Sequence, residues 1–222
     1  MFMKNILNKN KIIKQLKNHA IDSTAMLVAS TPIFAGLENV VLGMSDEVST
    51  NARLLATTLT YGGFGFLISK SRDFYRKTLK ITDQTKERKQ QIHDSIYGGL
   101  FNLIIAPGFY YTSGVRDLNE ILGGTAISIL FGLTSGGLMG YSIDMFRDLT
   151  GIKESARVPR YIKNKSSNFK LGLATAITAA SIALTAGIYK ITSDKKQFHV
   201  NPQNVNMVYN KDYNNLDCKL EN

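Results

Sequence analysis

Glu38 is the lone charged residue in the 23 residues from Ser23 to Ser45, a run otherwise made of apolar, small or uncharged side chains. At the centre of a bilayer a carboxylate costs roughly 2.5–3.5 kcal/mol or more, so its presence there calls for a reason. Arg53 begins the next apolar run, across a short polar turn. A carboxylate in low dielectric holds its proton tightly, and a neighbouring guanidinium opposes that. Such a pair can take up and release protons, or hold the ammonium of an amino acid on Glu38 while Arg53 holds its carboxylate. The plainer alternative is a structural ion pair that locks two helices together.

A second group of charges recurs at the other ends of the apolar runs. Asp22 and Asp94 precede two of them, while Asp73 with Arg76 and Asp144 with Arg147 follow two others. Asp22 and Asp94 suit helix N-caps or first-turn acids, favoured by the helix dipole. Together the six residues also suit a cytoplasmic gate whose ion pairs break and reform. His19 and His93 flank the aspartates and could relay protons. Enzyme chemistry finds no support: there is no nucleophile with its base, no phosphate-cradling loop and no zinc-ligand spacing. No cofactor or metal is expected. The lone cysteine, Cys218, has no internal partner, and His199 belongs to no metal spacing.

The elements that position these residues follow from how charge is segregated. Charge-free segments run 54–69, 95–115, 121–143 and 171–189, and with the Glu38 segment they make five. Each approaches the about 17–25 residues of a membrane-crossing helix. Basic residues alternate between the connections. Five lysines precede the first segment, and the successive connections carry one, eight, one and seven, so 20 of the first 22 fall on one side. That is the positive-inside pattern, with the amino terminus in the cytoplasm. The net charge of +10 therefore reads as topology and attraction to anionic lipid rather than as a nucleic-acid surface.

The expected fold is an all-α, polytopic membrane bundle. Residues 1–19 form a basic segment, a candidate interfacial helix. Residues 20–150 form a four-helix core, 151–170 a basic cytoplasmic loop, 171–190 a fifth membrane helix and 191–222 a polar outer tail. The core repeats itself. Asp22-Ser23 recurs as Asp94-Ser95, and Ser71–Arg76 (SRDFYR) recurs as Ser142–Arg147 (SIDMFR), which predicts two transmembrane hairpins related by an axis along the membrane normal. In this register Glu38 corresponds to Tyr110 and Arg53 to Thr125, so the charge pair exists in one copy only. Gly124, Gly132, Gly136 and Gly140 share one helix face, as do Ala179, Ala183 and Gly187, and such faces allow close helix approach. A homo-oligomer in contact through a glycine face is expected. The stretch YGGFGF (Tyr61–Phe66) is either an ordinary helix with packing glycines or a break at membrane depth.

Several of these residues form a recognisable set. Asp22, Ala25 and Met26, then Glu38, then Gly43–Ser45, then Arg53, Leu54 and Ala56 resemble the L-alanine exporter family (AlaE-type). In the second half Asp94, Tyr97, Phe101, Gly114 and G-Y-x-x-D-x-x-R-x-L (Gly140–Leu149) resemble it too. The resemblance covers about residues 20–149, with small insertions before Asp73 and Asp144. It implies a small inner-membrane protein with four spanning helices that expels L-alanine, driven by proton-motive force. The fifth segment, the tail and the position of Pro107 depart from that pattern.

Two functions are therefore expected as alternatives. One is proton-driven export of L-alanine or another small neutral amino acid, with Glu38, Arg53 and Tyr110 as substrate- or proton-binding residues. The other is a non-transporting membrane scaffold or assembly protein. Exchanging the pair (Arg at 38, Glu at 53) discriminates them, since a scaffold tolerates the exchange and a proton-coupled site does not.

Overall fold

A computed structural model describes residues 2–41, 45–112 and 116–199, with side chains from residue 10 to 193 except Glu120. Gly43, Met44, Gly114, the His199 side chain and the tail with Cys218 lie outside the described residues.

Among the described residues every regular element is helical. Helix α1 (Phe2–Gly36) continues into a π-helical turn (Leu37–Val41) that carries Glu38. Helix α2 (Asp46–Leu59) passes through a second π-helical turn (Thr60–Phe64) into α3 (Gly65–Thr78). Then follow α4 (Glu87–Thr112), α5 (Leu118–Leu149), the single turn α6 (Arg160–Lys163) and α7 (Ser167–His199). Among the described residues three stretches are long and apolar enough to cross a membrane: Asn10–Val41, Ile121–Leu149 and Ser167–Ser193. The other two charge-free segments fall in α4 and in α2–α3, which is broken midway.

The burial pattern is inverted relative to a protein folded in water. Ile104, Phe74, Ile127, Val41 and Ile182 are largely exposed, whereas Asp22, Arg72 and Asp94 are almost wholly buried. Apolar surface facing outward with charges paired inside suits a hydrocarbon solvent. The small apolar core joins Ala25 and Met26 of α1, Ile143, Phe146 and Leu149 of α5, and Ala174 of α7.

Three local features set how the helices meet. First, α4 and α5 run antiparallel at backbone contact. A Cβ at Gly98 would stand 2.5 Å from the carbonyl oxygen of Gly132, and one at Gly136 would stand 2.5 Å from that of Asp94. Gly124 lies under the Tyr110 ring and Gly140 under the Asp94 carboxylate. The glycine face of this segment is thus covered within the chain and is not free to receive a second protomer. The second small-residue face stays open, with Ala179 and Ala183 exposed and nothing near Gly187.

Second, Pro32 lies inside α1 and has no N–H, which leaves the carbonyl four residues earlier, that of Val28, without its helical donor. Ser181 of α7 donates its hydroxyl to that carbonyl at 2.9 Å. Third, the YGGFGF stretch is broken. Gly63 adopts φ +134°, a conformation open to glycine, inside the π-helical turn. The disturbed carbonyls find partners on α1: His19 Nε2 lies 2.8 Å from Tyr61 O, and Ser23 Oγ donates to Thr60 O at 3.3 Å. Backbone groups freed by such a break need partners, and these two side chains supply them.

The basic segment is continuous with the apolar run that follows it, since α1 extends from Phe2 to Gly36. Asp22 and Asp94 are not caps, since each lies well inside its helix, beyond the first turn where a cap or a dipole acts.

Candidate functional site

The π-helical turn after α1 aims Glu38 at α2, where α2 presents Ser49 and Arg53 one helical turn apart. Arg53 Nη2 donates to Glu38 Oε1 in an ion pair. Ser49 donates its hydroxyl to Glu38 Oε2 at 2.6 Å, and with that proton committed, the Tyr189 hydroxyl of α7 is the donor to Ser49 at 3.0 Å. Both carboxylate oxygens are thereby held, and α7 reaches the site through one intermediary. The Arg53 guanidinium lies 4.4 Å over the Phe34 ring, which packs 4.4 Å from Phe131. Arg53 Nε is buried without a partner. Tyr110 does not join this group. Its hydroxyl faces Gly124 O at 3.3 Å and Ser128 at 3.4 Å, inside the α4–α5 pair.

At the opposite end of the bundle the aspartates and arginines form two clusters. Arg147 grips Asp22 with two bonds of 2.7 Å and also donates to Asp73 at 3.0 Å. Arg72 grips Asp94 with two bonds of 2.9 Å and reaches Asp144 at 2.8 Å. Arg76 donates to Asp144 at 2.7 Å and to Gln90. Every hydrogen bond these three arginines make to an aspartate crosses between the two copies of the repeat, while Arg72 also stands 3.9 Å from Asp73 of its own copy. Asp22 and Asp94, equivalent in the repeat, are both held bidentately by an arginine of the other copy. The register is not symmetric, because Arg72, one turn before Arg76, takes Asp94. Arg72 corresponds to Ile143 in the other copy, a one-sided charge that the repeat alignment could have flagged as it flagged Glu38.

Arg157 completes the second cluster from outside the helices. It comes from the connection between α5 and α6, yet its side chain is 1 % exposed. It donates to Asp94 at 2.8 Å, to Asp144 at 2.9 Å and to Glu87 at 2.8 Å. Burial works against its charged form, but the carboxylates of Glu87, Asp144 and Asp94 outweigh that and raise its pKa above the ordinary arginine value. In the sequence Arg157 is one of seven basic residues in a single connection, and nothing in its spacing singles it out. His93 Nδ1 lies 3.1 Å from Asp94 Oδ1, with its other nitrogen buried and unpartnered, while His19 is engaged with Tyr61 O.

Between these ends lies a cavity of about 600 Å³, lined by α1, α2, α3, α4 and α5. Glu38 and Arg53 stand on its wall at one end and Arg72 and Asp94 at the other. Asp22, Asp73, Arg76, Asp144 and Arg147 stand behind the lower wall rather than on it. Among the described residues no group of His, Cys, Asp and Glu is arranged to hold a metal ion.

The described residues define an all-helical fold with three helices long and apolar enough to cross a membrane and a cavity with charged residues at both ends. In comparisons with family models, with curated proteins and with solved structures, nothing matches this chain.

Proposed function

We propose that the protein is a multi-pass transporter of the cell's inner membrane that exports L-alanine or another small neutral amino acid, driven by protons. The amino terminus lies in the cytoplasm, and two transmembrane hairpins, α1 with α2–α3 and α4 with α5, surround the path beside the fifth membrane helix, α7. The observation that carries this reading is the cavity between the hairpins, bounded by a separate ion-pair system at each end. Alternating access needs two closures around one space, and pairs of charges in low dielectric can open on one side while the other side stays shut. In this mechanism Glu38 and Arg53 form the outer closure, and proton uptake by Glu38 loosens its hold on Arg53. The freed guanidinium then accepts the carboxylate of the substrate. The aspartate–arginine clusters, latched by Arg157, form the inner closure. The resemblance of about residues 20–149 to the L-alanine exporter family supports the substrate.

Counterflow of labelled alanine in proteoliposomes, with and without a proton gradient, tests this. Accumulation that responds to the gradient is expected. Failure to move alanine, glycine, serine or any larger neutral amino acid under any gradient leaves the scaffold reading in its place.

A further inference from the structure

We infer that the cavity is built for a neutral amino acid with a larger apolar side chain, such as leucine, methionine or phenylalanine, in preference to the smallest ones. This rests on the transport reading but replaces its small substrate by a larger apolar one, and the experiment below separates the two.

The space of about 600 Å³ far exceeds what a methyl side chain can fill. Its wall divides by chemistry. Polar recognition is concentrated at Glu38 and Arg53, where the unpartnered Nε of Arg53 is a spare donor for a carboxylate. Below that pair the wall is mostly apolar, with Phe34, Phe101, Phe131, Met26 and Met139 facing the space between the small polar side chains of Ser30, Ser128 and Ser135. The charges at the far end are already matched, Asp94 being gripped by both Arg72 and Arg157, so no counter-ion waits for a charged side chain. A zwitterion seated at Glu38–Arg53 directs its side chain into the apolar part. Each additional buried methylene strengthens binding roughly fourfold when the wall is already there to receive it. Alanine leaves most of that wall uncovered.

The test uses wild-type full-length protein in proteoliposomes, with labelled alanine and labelled leucine counterflow run in parallel and competed by unlabelled glycine, leucine, methionine, phenylalanine and lysine. Leucine, methionine and phenylalanine are expected to compete at concentrations at least about tenfold below glycine, and lysine not to compete. Alanine counterflow that leucine does not inhibit, or that glycine and leucine inhibit equally, overturns the inference and leaves the transport reading standing. Counterflow of neither label overturns both. Ser135→Leu, which narrows the cavity from α5, is expected to shift the leucine-to-alanine uptake ratio about tenfold toward alanine. An unchanged ratio in folded Ser135→Leu protein overturns the inference as well.

Discussion

Glu38 is held by Arg53 and Ser49, and through Ser49 by Tyr189 of α7. Removing one partner of a buried ion pair costs about 3–5 kcal/mol when the pair is purely structural. Glu38→Gln keeps the size and an acceptor for the Ser49 hydroxyl but fixes a neutral state. If Glu38 works by alternating between charged and neutral forms, its neutral form already belongs to the cycle, and the fold accommodates it. The expected result is a loss of stability below about 1 kcal/mol, abolished uphill transport, and preserved exchange of substrate, which moves no net proton. Thermal denaturation of the purified variant and the two transport assays check this. Normal stability together with continued pumping against a gradient would remove the coupling role from Glu38.

Among the elements, the α1–α7 contact isolates a single hydrogen bond. Ser181→Ala deletes the donor to Val28 O and is expected to cost about 1 kcal/mol. Pro32→Ala restores an N–H that can satisfy the same carbonyl from within α1. In that background Ser181→Ala should be nearly neutral, and a double-mutant cycle by denaturation reads the difference. Additive effects would mean that Ser181 docks on α1 for some other reason. The α5–α6 connection offers a functional counterpart. Arg157→Ala removes one cation shared by Asp94, Asp144 and Glu87, leaving Arg72 and Arg76 to hold the cluster. A cysteine placed at Ser30, which lines the cavity, is expected to react faster with an impermeant thiol reagent from the cytoplasmic side of this variant. Unaltered reactivity would show that Arg157 is no latch.

For the whole molecule, the decisive quantity is which ends face which side. Single cysteines near Asp46 and Asn119 are expected to react with an impermeant reagent applied outside intact cells, and those at Lys86 and Lys153 to be protected. Lys153 suits this purpose because its side chain is 56 % exposed. The reverse pattern, or reaction at all four, would end the proposed topology.

The sequence by itself determined the properties that belong to one segment at a time. Charge-free runs and the doubled Asp-x-aromatic-Arg ending are linear patterns, and they mark where the long apolar helices run and which of their ends carry charge. The Glu38–Arg53 contact was also legible, because the two residues flank one short turn and a helical hairpin brings such neighbours together. Partner choice between distant elements was not. That Arg147 takes Asp22, that Arg72 takes Asp94 and that Arg157 leaves its loop to join them depends on how each helix is rotated and tilted against the next. The same holds for the glycine face of α5, which any helix could have covered and which α4 does cover. A helix interior sets its own hydrogen bonds locally, whereas buried charges and small faces are satisfied by whichever neighbour tertiary packing delivers, and only the assembled bundle decides that.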